Sequence, residues 1–489
     1  MAVLVIEMST SSVKVMTADA QCDLLCEFSH RIRNVSDGVQ QPDEICDAAL
    51  RLARKAVEFY RLKHPSPEIT AVGIVSTWHN SLVADTNGNA RTPSYTWTYR
   101  KPGAAAASFK KNHPAQALAY YKKTGCLVNG TYVSFRMKYF TENGFVFAKN
   151  DRLIDQGTYL FYQLTGTFRE SYSMASGTGL LNLAAMDWDA EIAAEMGVPR
   201  ENLPELCDYD ACRPLCAAAA ELLGLKQGIP VVTAHPDGAM NQVGDDALEE
   251  GVMTLSAGTS AALRMLSAQA AVPDEPSLWC YYAPGSYLTG AATSGCANCI
   301  DWFAGSVCGN SYDYNALDRM ATEAFNKMSA DSGDAPVFLP FLFGERAPGW
   351  SEYRPGGFLR LSGRHETGAL YCAVLEGICF NIRQCYEMLC AVNRVPERIH
   401  VSGGIVRSEV WAHLLADILQ KEIFLSPVQN ASSLGGAKLA LFAAGEIADL
   451  RVRAAESRTL LSPDPAAAGR YDRLYGIYCD LYEKTRPES

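Results

Sequence analysis

The chain contains the same pattern twice: an apolar strand, a turn of small polar residues and a second apolar strand. It reads AVLVIEM-STSS-VKVMTAD at residues 2–19 and GVMTLS-AGTS-AALRML at residues 251–266. Apolar runs on either side of a short turn predict a β-hairpin. Two interpretations stay open. The two hairpins are unrelated and share common turn residues, or they belong to a duplicated domain whose turns offer hydroxyl and N–H groups to phosphate.

The segments after each hairpin mix helices and strands. In the first half, PDEICDAALRLARKAVEFY predicts a helix and ITAVGIVST a strand; in the second half, ERIHVSGG predicts a strand, EVWAHLLADILQ a helix and EIFLSP a strand. Strand–helix–strand units predict an α/β fold. A chain of 489 residues suits two domains of about 200–250 residues each. We place the boundary in GDDALEEG, which gives domains 1–246 and 247–489.

The net charge and the composition indicate which binding partners and which cellular compartment to expect for this protein. The formal net charge is −11 and no long basic run occurs, which argues against a nucleic-acid partner. No stretch reaches the roughly 18 apolar residues of a membrane span, and the N-terminus lacks a signal-peptide pattern. The 16 cysteines are scattered, and Cys296 and Cys299 have no second pair at zinc spacing. We therefore expect a cytoplasmic protein without membrane contact, whose cysteines are reduced core residues rather than redox or metal sites.

Two loops contain residues that could carry chemistry. Asp237 follows the predicted strand IPVVTAH, at the strand end where open α/β sheets place ligands. Its carboxylate could accept the proton of a sugar hydroxyl, or it could only cap the following helix. Gly403 and Gly404 lie between a predicted strand and a helix, where a nucleotide could approach the backbone closely. A diglycine is not a complete phosphate-loop fingerprint, and many α/β turns contain one.

Several longer segments resemble the FGGY carbohydrate kinases, a family that covers gluconate, xylulose, ribulose, rhamnulose and glycerol kinases. Residues 338–381 contain PFLFGERAPGW and LYCAVLEGICFN, which are similar to the family's Gly-Glu-Arg-x-Pro segment and the helix after it. VSGGIVRSEVWAHLLADILQKEI and ASSLGGAKLA resemble its adenine-binding region, and LSAGTSAAL its second phosphate motif. The resemblance implies two ribonuclease H-like, actin-like α/β domains with an interdomain cleft. The sugar would bind mainly to the first domain and ATP mainly to the second.

The resemblance also implies roles for individual residues. Asp237 falls where the family has its catalytic aspartate, and with Glu7 it would hold Mg²⁺ through water. The positions that match the nucleotide site are Gly258, Thr259, Gly403, Gly404 and Ser408, and those that match the first phosphate hairpin are Thr10, Ser11 and Lys14. STWHNSLVAD and TPSYTWTYRK most closely resemble the gluconate kinase branch, so the expected sugar contacts are Trp78, His79, Trp97, Tyr99 and Asp237.

This chain departs from the family pattern at three of these positions. The family's first hairpin usually has Asp-x-Gly-Thr, whereas this chain has Glu7, Met8, Ser9 and Thr10. Glu7 keeps the negative charge on a longer side chain, and Ser9 adds a side chain where the backbone normally passes close to phosphate. Tyr99 replaces the family's aspartate and can hydrogen-bond without charge. The expected substrate is therefore a small sugar or sugar acid, with gluconate or a related aldonate or ketose favoured.

Three functions compete on this evidence. The leading hypothesis is an active ATP- and Mg²⁺-dependent kinase for a small polyol, aldonate or ketose. The second is a catalytically weak relative that senses sugar or nucleotide, motivated by Glu7 and Ser9. The third, an actin-like assembly protein, leaves Trp78 and His79 without a role. The sequence does not determine the oligomeric state, and a homodimer is one alternative.

Overall fold

The computed structural model describes residues 1–33, 36–64, 68–327, 334–351, 353–426, 428, 430–451 and 458–486. The strands that the described residues form before residue 249 are β1 Ala2–Met8, β2 Ser12–Asp19, β3 Leu24–Arg31, β4 Val39–Gln40, β5 Ile69–Ser76, β6 Leu82–Asp85, β7 Ser94–Tyr95, β8 Asp151–Ile154, β9 Arg169–Ser171, β10 Leu181–Asn182, β11 Asp187–Trp188, β12 Glu205–Cys207, β13 Cys212–Pro214, β14 Pro230–Val232 and β15 His235–Pro236. The helices of this part are α1 Pro42–Lys63, α2 Gly103–Asn112, α3 Pro114–Thr124, α4 Val133–Glu142, α5 Gln156–Thr165, α6 Tyr172–Ser176, α7 Ala190–Glu195, α8 Ala217–Leu223 and α9 Asp237–Gly244, with a 3₁₀ turn at Arg200–Asn202.

The later strands are β16 Val252–Ala257, β17 Ala261–Ser267, β18 Trp279–Ala283, β19 Ser286–Ala292, β20 Val337–Leu339, β21 Gly357–Leu359, β22 Arg398–Gly403, β23 Ile423–Leu425 and β24 Thr459–Leu461. The later helices are α10 Ala297–Trp302, α11 Tyr314–Lys327, α12 Thr367–Val392, α13 Glu409–Leu419, α14 Ala431–Ala443 and α15 Ala468–Lys484, with a π turn at Phe303–Val307 and a 3₁₀ turn at Gly404–Arg407. Both predicted hairpins are confirmed, because β1 pairs antiparallel with β2 and β16 with β17.

The chain forms two compact units. Unit 1 contains Met1–Leu248, Ser267–Leu288 and Gln429–Ala455, and unit 2 contains Glu249–Leu266, Thr289–Val428 and Glu456–Ser489. The main sheet of unit 1 has the order β13-β14-β5-β1-β2-β3, and β15 also pairs with β5. β1 is parallel to β5 and antiparallel to β2. Every residue of β1 is buried, since helices α1 and α14 both pack against the strand.

Unit 2 repeats this arrangement. Its strands have the order β19-β17-β16-β22-β23-β24, where Thr289–Ala292 of β19 belong to this unit. β16 is parallel to β22 and antiparallel to β17, as β1 is to β5 and β2 in unit 1. In each unit, therefore, a hairpin turn lies at the carboxyl end of the hairpin's first strand, beside the carboxyl end of a parallel neighbour. This is the edge where open α/β sheets bind ligands.

Helices α9 and α14 of unit 1 approach each other very closely. A Cβ at Gly244 of α9 would overlap the Ala431 carbonyl, and a Cβ at Gly435 of α14 would overlap the Met240 carbonyl. Glycine is needed at both positions, because any side chain would push the helices apart. The buried Lys438 ammonium adds an ion pair to Asp246. The start of α14 is thereby fixed beside the sheet that carries Glu7.

The Gly-Glu-Arg-x-Pro segment belongs to the core of unit 2. The buried Glu345 carboxylate accepts hydrogen bonds from Arg354 at 3.1 Å, from the Tyr482 hydroxyl at 2.5 Å and from Gly349 N–H at 2.9 Å. The Arg354 guanidinium lies 3.9 Å from the Tyr482 ring centroid and 4.6 Å from that of Phe341. These contacts attach the Tyr-rich C-terminal helix α15 to the core.

Within the described part of the chain, none of the helices combines the length and hydropathy needed to span a bilayer. Cys296 and Cys299 are buried, and burial raises the pKa of the Cys296 thiol. The interpretation of these residues as core cysteines agrees with their placement.

Candidate active site

Asp237 is the first residue of α9 and directly follows β15 in unit 1. Its Oδ1 accepts a hydrogen bond from Gly238 N–H at 2.8 Å and a longer one from Trp78 N–H at 3.4 Å. The N-cap residue of α9 is Pro236, so Asp237 does not occupy the N-cap position. Two backbone donors fix the orientation of the carboxylate.

Trp78 and His79 lie next to Asp237, on the loop after β5. The Trp78 indole N–H donates to the Ser173 carbonyl at 3.0 Å, and its ring packs 4.9 Å from the Tyr281 ring, centroid to centroid. His79 Nδ1 is 2.6 Å from the Gly177 carbonyl. A carbonyl only accepts, so Nδ1 carries the proton and Nε2 is the acceptor nitrogen of the neutral ring.

Arg136 of α4 binds this loop through hydrogen bonds, a role that no sequence pattern indicates. The side chain is fully buried. Its guanidinium donates to five oxygens at 2.8–3.1 Å: the Ser81 hydroxyl and the carbonyls of His79, Tyr95, Thr96 and Thr131. Burial lowers the pKa of Arg136 to about 9, which leaves it protonated at neutral pH.

His79 has a backbone φ of +61°, in the left-handed region that non-glycine residues rarely adopt. The hydrogen bond from Arg136 to the His79 carbonyl stabilises this conformation. Strained backbone of this kind is concentrated at functional sites. An arginine in the middle of a helix gives no local sequence signal of such a role, since only the folded chain brings the five acceptors together.

Trp97 and Tyr99 are placed differently, although they lie on the same loop. The Trp97 ring is 37 % exposed, and its indole N–H donates to the Thr10 hydroxyl at 3.0 Å. Tyr99 is 8 % exposed and packs its ring against Tyr95 and Phe140, with centroid distances of 4.9 and 5.9 Å. Burial raises the pKa of Tyr99. The structure thus links Trp97 to the first hairpin turn and places Tyr99 in an aromatic cluster.

The first hairpin turn is closed by its own serines. Ser9 N–H and Ser9 Oγ both donate to the Ser12 carbonyl, at 2.8 and 2.9 Å. The Thr10 carbonyl accepts from the Gln40 amide at 2.8 Å, and Ser11 is exposed. The Ser9 side chain is therefore used within the turn.

Glu7 and Lys14 lie opposite each other on β1 and β2. The buried Glu7 carboxylate accepts hydrogen bonds from Ser432 Oγ at 3.0 Å and from Ser433 Oγ. Lys14 Nζ donates to Asn430 Oδ1 at 2.8 Å. Both predicted site residues therefore contact the start of α14, which carries serines at the two positions next to the Glu7 carboxylate.

Among the described residues, no group of three or more His, Cys, Asp and Glu side chains could hold a metal ion. Mg²⁺ needs no such cage, because it usually keeps several waters and binds one or two carboxylates together with substrate phosphates. Glu7 and Asp237 are the carboxylates that the sequence predicts for such a site.

The nucleotide candidates of unit 2 come together at one sheet edge. Ala257, the last residue of β16, is paired with Gly403 at the end of β22. A Cβ at Gly403 would overlap the Ala257 carbonyl, and the Gly403 φ is +94°. The Gly258 and Thr259 carbonyls that follow accept N–H groups from the start of α10 at 3.0 and 3.3 Å. The second hairpin turn and the diglycine are therefore adjacent.

A cavity of about 480 Å³ opens next to Gly404 in unit 2. Its lining includes Ile300, Tyr371 and Trp411, together with the carboxylates of Asp301, Asp313 and Asp318. Ser408, also predicted as a nucleotide residue, lines the cavity and caps α13, because its Oγ accepts from Trp411 N–H at 3.2 Å. The volume is in the range of pockets that bind a small organic ligand.

Comparisons with known proteins agree with this arrangement. Residues 2–244 match the N-terminal domain of the FGGY family of carbohydrate kinases, and residues 253–444 match its C-terminal domain. The chain belongs to the FGGY family. The phosphoryl donor of a kinase family is ATP, and the acceptor in this one is an alcohol group of a small sugar. The predicted family and the predicted enzyme class are confirmed.

Similar proteins match this chain over nearly its whole length. A gluconokinase of Bacillus licheniformis is 24 % identical, covering 97 % of this chain and 94 % of the relative. A xylulose kinase of Escherichia coli strain K12 is 26 % identical, covering 90 % and 89 %. The crystal structure of gluconate kinase from Lactobacillus acidophilus superposes with a TM-score of 0.92 at 24 % identity, covering 99 % and 98 %. This likeness confirms the predicted two-domain, actin-like and ribonuclease H-like α/β fold.

Proposed function

We propose that the protein transfers the γ-phosphoryl group of ATP to a hydroxyl of gluconate or of a related aldonate or ketose, with Asp237 as the general base. The observation that carries this proposal is the Asp237 carboxylate, fixed by two backbone N–H groups at the end of a strand and beside Trp78 and His79. The branch of similar proteins that includes gluconokinases and xylulose kinases supports the choice of substrate.

In this proposal Asp237 accepts the proton of the attacking hydroxyl as the oxygen–phosphorus bond forms. The Gly238 and Trp78 N–H groups keep the carboxylate oriented toward the acceptor. His79 Nε2 accepts a hydrogen bond from another sugar hydroxyl, because Gly177 holds the proton on Nδ1. Sites built to hydrogen-bond hydroxyl groups discriminate strongly against analogues that lack them. Trp97 is expected to cover the sugar with its exposed ring.

The turn at Gly258 and Thr259 and the diglycine at 403–404 are proposed to bind the phosphates of ATP. Bare backbone allows the nucleotide to approach closely there. Mg²⁺, held through water by Glu7 and Asp237, would neutralise charge on the transferred phosphoryl group. The 16 cysteines are all free, which suits a reducing compartment, and we infer that the protein acts in the cytoplasm.

An acceptor panel tests the proposed function. ADP formation is measured with gluconate, other aldonates, xylulose, ribulose and glycerol, with Mg²⁺ present, for the wild type and for Asp237→Asn. We expect turnover with an aldonate or ketose and its loss in the variant, with an unchanged melting temperature. Asp210→Asn is the matched control, since Asp210 is exposed. Near-wild-type turnover by Asp237→Asn would remove Asp237 from the role of base.

A second function, a sugar or nucleotide sensor with little catalysis, is favoured by one observation. The Glu7 carboxylate accepts two serine hydroxyls, Ser432 and Ser433, in addition to any metal-bound water. If these bonds prevent metal binding, wild type transfers nothing to any acceptor, and Glu7→Asp combined with Ser9→Gly gains activity. If the kinase proposal holds, the same double variant changes turnover only modestly.

A further inference from the structure

The cavity in unit 2 contains more acidic than basic groups. Asp301, Asp313 and Asp318 line it, and among the described residues of the lining Arg407 is the one cationic side chain. Three carboxylates in the cavity would repel phosphate groups. If the proposed nucleotide site is correct, the phosphates therefore lie toward the turn and the diglycine, and the nucleoside occupies the cavity.

The three carboxylates are used differently. Asp301 accepts a hydrogen bond from the Tyr314 hydroxyl at 2.6 Å, and Asp313 caps α11 by accepting from Ala316 N–H at 2.7 Å. Each of these hydrogen bonds uses part of the acceptor capacity of Asp301 or Asp313 within the protein. Asp318, on the following turn of α11, is half-buried.

The Asp318 carboxylate shares the cavity lining with the hydroxyl-bearing residues Ser408 and Tyr371. Ser408 Oγ accepts a hydrogen bond from Trp411 N–H at 3.2 Å, and Tyr371 is buried. An ionised carboxylate only accepts hydrogen bonds and has about four lone-pair positions. Asp318 therefore has acceptor capacity to offer to a ligand in the cavity.

The surroundings of Asp318 suit a planar ring. Tyr371 and Trp411 are almost fully buried aromatic residues, and Ile300 adds an apolar surface. From this arrangement, and resting on the proposed nucleotide site, we propose that Asp318 selects the nucleobase by accepting a hydrogen bond from the 6-amino group of adenine. A purine with a 6-keto oxygen would instead place an acceptor against a carboxylate, and both groups would lose a partner.

Binding of ADP, IDP and purine-riboside diphosphate, measured by calorimetry without sugar, tests this inference. These nucleotides carry an amino group, a keto oxygen and a hydrogen at purine position 6. We expect wild type to bind ADP at least tenfold more tightly than IDP, with the unsubstituted purine between them, because a hydrogen bond to a charged group is worth about 1.5–3 kcal/mol. A different order in wild type overturns the inference, whatever the variants do.

Asp318→Asn then identifies the residue responsible. Its amide can present either an oxygen or an N–H to the base, so we expect the ADP-to-IDP affinity ratio to fall to within about threefold of unity. The matched control is Asp480→Asn, an exposed aspartate of unit 2 that pairs with Lys484 and should keep the wild-type ratio. An unchanged ratio in Asp318→Asn would show that another group reads the base.

The binding measurements distinguish failure of the proposed nucleotide site from failure of the proposed role of Asp318. If wild type binds none of the three diphosphates, the nucleotide site in unit 2 is wrong and this inference falls with it. If all three bind equally well, the nucleotide site stands and only the role of Asp318 is refuted.

Discussion

Replacing Arg136 by methionine tests whether one buried cation organises the sugar loop. Methionine is similar in length and apolar, so it fills much of the space but donates no hydrogen bond. The variant leaves four carbonyls and the Ser81 hydroxyl without the guanidinium. One of these carbonyls belongs to His79, whose left-handed backbone conformation is unfavourable without support.

The expected loss of unfolding free energy in this variant is the balance of two opposing effects. Each hydrogen bond from a charged donor contributes about 1.5–3 kcal/mol, and buried acceptors left without a donor add to the loss. Burial of the charge opposes this, as the lowered pKa of Arg136, about 9, shows. Because these contributions are not additive, we expect the free energy of unfolding to fall by about 3–5 kcal/mol, and sugar affinity to fall at least tenfold.

Urea unfolding followed by tryptophan fluorescence, and sugar binding by calorimetry, measure the two effects. Arg54→Met is the control. Arg54 is exposed and pairs with Glu58 at 2.9 Å, so its loss should change stability by less than about 0.5 kcal/mol. A loss below about 1 kcal/mol in Arg136→Met would refute the assigned network. A large loss with unchanged sugar affinity would show that Arg136 supports the fold but not His79.

Further predictions concern unit 2. Burial raises the pKa of Glu376 to about 7 from 4.5. The protonated side chain is therefore favoured in the folded state, and the stability it contributes is lost as pH rises from about 4.5 through 7. In urea unfolding, the free energy of unfolding of Glu376→Gln should rise relative to that of the wild type by up to about 3 kcal/mol between pH 4.5 and 8. Glu345→Gln leaves Arg354 buried without its carboxylate and should cost about 3–5 kcal/mol by the same assay. Gly404→Val should weaken ADP binding at least tenfold in calorimetry. Its melting temperature should stay unchanged, because a Cβ added at this position would lie 3.7 Å from the Ala257 carbonyl oxygen, an ordinary contact. Gly403→Val should lower the melting temperature as well.

The parts of the fold that depend on local pattern could be predicted from the sequence. The two hairpins and helix α1 follow from apolar periodicity and turn residues, and the structure has all of them. The positions after strand ends were equally predictable, since Asp237 and Gly403 follow directly from the rule on strand carboxyl ends.

Contacts between distant segments could not be predicted in this way. Helix α14 lies about four hundred residues after β1 in the chain, yet it packs against β1 and β5 within unit 1. The short segment ASSLGGAKLA gives no sign of that partner, because glycine tolerates close approach to any backbone. Arg136 was missed for the same reason, because its five acceptors lie outside helix α4.

The segment with the clearest family resemblance shows another limit of prediction from sequence. Residues 344–348, Gly-Glu-Arg-Ala-Pro, carry the clearest resemblance to the family, yet Glu345 is a buried residue whose partners are Arg354, Tyr482 and Gly349. A motif can identify a family because a packed network tolerates few substitutions. It then reports on the fold, and chemistry has to be assigned from other residues.

The departure at Glu7 becomes intelligible once α14 is in place. The longer side chain reaches Ser432 and Ser433, so the extra methylene is accompanied by two hydroxyl donors on the facing helix. These donors use about two of the four lone-pair positions of the carboxylate, which leaves acceptor capacity for a metal-bound water. The bonds to Ser432 and Ser433 are therefore compatible with the proposed kinase, and turnover by the wild type is the measurement that separates the kinase from the proposed sensor.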